Sequence, residues 1–151
     1  MRAIYSFGLF GALVLSTATL CADASARGEI ESYAIVNDDA TLQVRSKTIR
    51  LFGVHIPDSG PRKCNRHRAR CASRAASALA FKIQGFVRCN PVVRHVDRTL
   101  TARCVNDGVD LSEYLISRGL ALALPAAPFG FHALERIARD RGAGLWRRRS
   151  H

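Results

Sequence analysis

The sequence predicts a mainly β domain with helical cover, in which five short strands close, or nearly close, a small barrel and three helices pack around it. Three observations carry this. Five runs alternate or are rich in β-branched residues, one stretch of helical period follows the third run, and two more helical stretches end the chain. A length of 151 residues with 48% hydrophobic and 23% charged side chains suits one core rather than two.

The N-terminus stands apart. Arg2, the largely apolar run from Ile4 to Leu20, and Ala24-Ser25-Ala26 read as a secretory leader with an A-x-A cleavage pattern. Residues 1–26 are therefore expected to be a signal peptide and residues 27–151 the folded domain, exported to the periplasm or the exterior. An uncleaved anchor is disfavoured by Ser6, Ser16, Thr17 and Thr19, which interrupt a run short of the ~20 apolar residues a span needs. Lipidation at Cys21 is set aside because Leu20 is too large for the preceding position. No transmembrane span is expected after cleavage.

Ile30, Ser32, Ala34 and Val36 fall on one side of the first run, the turn Asn37–Ala40 follows, and Thr41–Ser46 returns as a second strand. Lys47–Val54 is the third, with Ile49, Leu51 and Gly53 opposite Arg50 and Phe52, and Pro57, Gly60 and Pro61 end it. Ala72, Ala75, Ala76, Leu79, Ala80 and Ile83 then recur at steps of three and four, which describes a helix stopped at Gly85. Phe86–Val96 and Leu100–Asn106 are the fourth and fifth strands, with Pro91 marking a bulge or an edge, and Asn106-Asp107-Gly108 is a turn. Asp110 and Glu113 resemble a capping box opening the second helix, whose Leu111, Leu115 and Leu120 face inward and whose end is marked by Gly119. The third runs from Phe131 to Arg141, with Leu134, Ile137 and Ala138 inward and Glu135 paired to Arg139, until Gly142 and Gly144 stop it. The oligonucleotide-binding barrel is an architecture that fits this order.

The formal net charge is +11. Loss of residues 1–26 removes one cation, Arg2, and one acid, Asp23, so the whole excess belongs to the domain. Such an excess favours polyanions, and arginine forks onto phosphates; solubility alone is the plain alternative. Arg62, Lys63, Arg66, Arg68 and Arg70 crowd one short segment and are the candidate polyanion-binding residues. Four cysteines remain after the leader, Cys64, Cys71, Cys89 and Cys104, and in an exported chain they imply disulfides. Three pairings are open, of which Cys64 with Cys71 and Cys89 with Cys104 is the economical one. Zinc is the rival, although neither spacing is C-x-x-C and His67 has no second histidine at ligand spacing.

"DDATL", "IRLFGVHIPDS", "VDR", "TARCV", "DLSEYLISRGLALA" and "ALERIARDRGAGLW" follow in order the landmarks of a known family. Over nearly all of the chain after the leader, this sequence resembles the staphylococcal nuclease (thermonuclease) family. The resemblance implies a five-stranded barrel with three helices, and in active members a calcium ion, a glutamate and two arginines that cleave DNA or RNA. It also implies which positions should carry that chemistry, and here several do not. The D-G-D-T turn with the first metal aspartate reads Asp38-Asp39-Ala40-Thr41, and the second metal aspartate is replaced by His55. The water-orienting glutamate corresponds to Asp58, one methylene shorter, and one arginine is kept as Arg50. The turn carrying the other arginine is shortened around Asp97-Arg98, and the nucleotide-facing tyrosines are absent, with Pro125 and Ala127 where some would lie.

Losing one transition-state donor typically costs ~10²–10³ in rate. With both metal carboxylates altered, Arg50 and Asp58 are expected to be vestigial catalytic positions and no cofactor is expected. The alternative is a divergent phosphodiesterase in which Asp39, His55 and Asp58 hold calcium or a transition metal, the latter suiting imidazole. A structural role for Arg50, paired to Asp38 or Asp58, is the third reading.

Overall fold

The computed structural model describes residues 28–57 and 73–147. The expected leader (1–26) lies outside the described residues, as do Asp58, Arg62, Lys63, Cys64, Arg66, Arg68, Arg70 and Cys71.

The elements in chain order are β1 (Ile30–Val36), β2 (Leu42–Val44), β3 (Lys47–Leu51), β4 (Val54–His55), α1 (Arg74–Lys82), β5 (Phe86–Arg94), β6 (Leu100–Asn106), β7 (Val109–Asp110), α2 (Leu111–Ser117), β8 (Leu122–Ala123) and α3 (Phe129–Asp140), followed by a 3-10 turn at Gly144–Trp146. The strands are hydrogen-bonded in the order β3-β2-β1-β5-β6-β7. Parallel pairing of β3 with β6, with Ile49 opposite Leu100 and Leu51 opposite Ala102, joins the two sides into a closed five-stranded barrel. The three helices complete the mainly β, oligonucleotide-binding-type architecture that the sequence predicts. Closure leaves none of the five barrel strands as a bare edge.

Period-two alternation fills the barrel. Leu42, Val44, Ile49, Leu51, Val87, Cys89, Leu100, Ala102 and Cys104 point inward and are buried, while the residues between them face out. Cys89 and Cys104 sit directly opposite each other on β5 and β6, with Cα atoms 4.1 Å apart, and form a disulfide inside the core. On the outer face of the same sheet Tyr33 packs against Phe86, ring centroids 4.4 Å apart. The β5–β6 register shifts between Pro91 and Val93, which is the bulge expected of a proline that has no N–H for the ladder.

The helices follow from their end residues. The Ser73 hydroxyl accepts the Ala76 N–H at 3.0 Å and starts α1, a cap the alanine period had obscured. Ala75, Ala76 and Leu79 are its buried stripe; Ala80, predicted inward, is exposed at the stripe's margin. The Asp110 carboxylate accepts the N–H groups of Ser112 and Glu113 and opens α2. At its end Gly119 adopts φ +64, its N–H reaching Ile116 and that of Leu120 reaching Leu115, so a left-handed glycine satisfies the last carbonyls. The same closure recurs after α3 at Gly142.

Other details differ from expectation, among them two boundaries and one burial. β3 stops at Leu51, because Phe52 and Gly53 turn the chain and Gly53 takes φ +74 under the buried Phe131 ring. α3 starts at Phe129, two residues early, with Pro128 before it. Ile137, predicted inward, is 45% exposed.

Sequence reading also passed over Asn106. Its buried amide donates to the carbonyls of Gln84 and Phe86, at 2.8 and 3.0 Å, and so ties the exit of α1 to the barrel. No described helix is long and apolar enough to cross a membrane.

Candidate functional site

The predicted catalytic positions within the described residues converge. Asp39, Ala40 and Thr41 from the β1–β2 turn, Arg50 and Leu51 from β3, Val54, His55 and Ile56 after it, and Leu124 after β8 line one open cleft of about 410 Å³. β4 and β8 pair with each other, Val54 opposite Ala123, and hold the lower wall in place. Asp39, Arg50 and His55 are therefore brought together as the sequence led one to expect.

The β1–β2 turn decides what the cleft can hold. The Asn37 N–H reaches the Thr41 carbonyl and the Ala40 N–H reaches the Asn37 carbonyl, both at 2.9 Å, while Ala40 takes φ +65. This is a three-residue hairpin loop whose last position is left-handed. One oxygen of the Asp39 carboxylate accepts the backbone N–H of Thr41 at 3.0 Å and the Thr41 hydroxyl at 2.7 Å. Asp39 is thus folded onto its own turn, and Ala40, 2% exposed, puts a methyl group where the resemblance calls for a carboxylate. Calcium takes six to eight oxygen ligands. Among the described residues the lining offers Asp39 and Thr41 as oxygen-bearing side chains, joined to each other through one Asp39 oxygen, and the imidazole of His55, fewer donors than that ion takes. Among the described residues no three His, Cys, Asp or Glu side chains group in a way that could hold a metal.

Because Ala40 occupies a left-handed conformation that disfavours any Cβ, Ala40→Gly should raise the unfolding free energy by about 1 kcal/mol in urea titration.

The β5–β6 turn repeats the geometry. The His95 N–H reaches the Thr99 carbonyl, the Arg98 N–H reaches the His95 carbonyl, Arg98 takes φ +66, and one Asp97 carboxylate oxygen accepts both the N–H (3.0 Å) and the hydroxyl (2.7 Å) of Thr99. Asp-x-Thr at 39–41 and at 97–99 is the sequence signal for both. Hydrogen bonds from the Thr99 hydroxyl and N–H hold the Asp97 carboxyl below its ordinary 3.8, with smaller help from Arg50 and His95. The sign follows directly: a depressed carboxylate stabilises the turn at pH above that ordinary value, and the contribution disappears as pH falls through the folded-state value. In an NMR titration, Thr99→Val should move the Asp97 midpoint upward.

Arg50 is exposed and makes no ion pair within 4 Å among the described residues. Of its two expected partners, Asp38 makes no ion pair with it and Asp58 lies outside the described residues, while Arg50 is among the smaller influences that lower the Asp97 carboxyl. β3–β6 pairing sets Arg50 beside Thr101, whose hydroxyl lies 2.8 Å from the His95 Nε2, so the two turns flank one stretch of rim. Trp146 is half-buried: Arg139 stacks over its ring at 4.3 Å, and the ring lies against Gly119.

Comparison with family models and with curated proteins finds no match to this chain.

Proposed function

We propose that this chain is an exported, thermonuclease-like barrel that binds nucleic acid or another polyanion without ordinary family catalysis. The observation that carries the reading is the β1–β2 turn, in which Ala40 supplies a methyl group and Asp39 is bound to Thr41, so that among the described residues the cleft keeps its arginine with a single carboxylate in its lining. The +11 charge supplies attraction for polyanions, and the cations between Arg62 and Arg70 extend it. Export to the periplasm or exterior is in keeping with the leader and with the Cys89–Cys104 disulfide, a bond of oxidising compartments.

The test is retention of the processed protein on single-stranded DNA and on heparin. Release by modest salt with a steep salt slope is expected; flow-through at low salt defeats the reading.

A second reading rests on Asp39 and His55 lining the same cleft. With Asp58 they form the donor set of a divergent, transition-metal phosphodiesterase. Cleavage of DNA or RNA in manganese or zinc that Asp58→Ala abolishes would support it; no turnover in either protein ends it.

A further inference from the structure

Beside the cleft, on the other side of His95 and Thr101, is a smaller pocket of about 200 Å³ lined by Lys47, Arg94, His95, Arg98, Thr99 and Leu100. Lys47 begins β3 and Arg94 ends β5, so barrel closure through β6 brings together cations far apart in the chain. Lys47, Arg94 and Arg98 are all exposed, and none has a carboxylate within 4 Å among the described residues. Three like charges around one concavity repel one another, and none of the three is paired directly with an acid among the described residues. The nearest acidic side chain of the turn, Asp97, is occupied by Thr99. Arg98 adds a second anomaly, since it holds φ +66, where glycine would be at ease and an arginine is disfavoured. The loop hydrogen bonds hold Arg98 in that conformation with its side chain exposed at the mouth of the pocket.

We propose that Lys47, Arg94 and Arg98 form a phosphate-binding pocket for single-stranded nucleic acid. The assignment rests on the polyanion-binding reading and gives it a location on the rim. Concavity favours a discrete phosphate over a flat lipid surface, and arginine forks suit phosphate oxygens. The neighbouring cleft, with Leu51, Val54, Ile56 and Leu124 in its walls, offers apolar surface to an unstacked base, which neither a duplex nor a sulfated polysaccharide presents.

The test is the fluorescence anisotropy of a labelled oligothymidylate titrated with the processed protein. Arg98→Gly relieves the backbone while removing the charge, so it separates binding from folding; Arg94→Ser and Lys47→Ser complete the set. Each arginine change should weaken binding roughly tenfold at low salt, as expected of a charged hydrogen bond. The slope of log affinity against log salt should flatten by about 0.7 per lost contact. Arg103→Ser and Arg118→Ser, whose guanidiniums stack on Phe52 and Tyr114, should leave affinity unchanged. Wild-type affinity in the pocket variants, with loss on neutralising Arg62, Arg66, Arg68 and Arg70, overturns the pocket and leaves the broader reading standing. Absence of binding by the wild-type protein overturns both. Equal affinity for duplex, heparin and oligothymidylate overturns the single-stranded assignment alone.

Discussion

Cys89→Ala/Cys104→Ala should lower the unfolding free energy by about 3 kcal/mol from chain entropy alone, since the bridge closes a loop with a sequence separation of 15. A cavity contribution adds to it, because both cysteines are completely buried between Val87, Leu100 and Ala102 and the barrel can collapse only partly around the lost sulfurs. Domains of this size are stable by roughly 5–15 kcal/mol, so the loss is a large fraction of the whole. Urea unfolding of the double variant beside the oxidised wild type reads it directly. A difference below about 1 kcal/mol would mean that the β5–β6 ladder holds the barrel without its covalent bond.

Gly119→Ala should do comparable damage by a different route. A Cβ there would stand 2.2 Å from the Ala143 carbonyl oxygen and 2.7 Å from its carbon, and the residue sits at φ +64. Both atoms are backbone, so no side-chain rotation can relieve the overlap. The clash would break the Leu145 N–H bond to the Gly119 carbonyl and lift the terminal 3-10 turn from α2. We expect a loss of about 3 kcal/mol or more. Gly108→Ala is the matched control: φ is +74 but nothing lies within 4 Å of the added carbon, so it should cost only the ~1 kcal/mol of a left-handed Cβ. Equal losses at the two glycines would show that the contact at Gly119 yields.

The barrel was legible because its local signals agree with its global arrangement. Strand alternation, the proline at the bulge, the Asp110 cap and the glycines after α2 and α3 each specify one local geometry, and all five strands lie where those signals put them. Legibility failed where a short segment is ordered by distant partners. β4 and β8 are two residues each and exist because they meet each other, and Asn106 looks like an ordinary turn residue until the α1 exit reaches it. Asp39, Arg50 and His55, singled out along the chain, line one cleft, but their hydrogen-bond partners were not legible there. Arg50 lies beside Thr101, because parallel pairing with β6, not chain proximity, sets its backbone neighbours. Lys47 and Arg94 drew no notice, since nothing along the chain signals that closure will bring them to one pocket.

The matched Asp-x-Thr hairpins give the rim two sockets. In each, the aspartate–threonine lock fixes the backbone and holds the residue between them left-handed, buried at position 40 and exposed at position 98. One socket now carries a methyl group and the other a guanidinium. One frame therefore presents its side chain to solvent from a preset backbone, while its twin turns a methyl group into the packed interior.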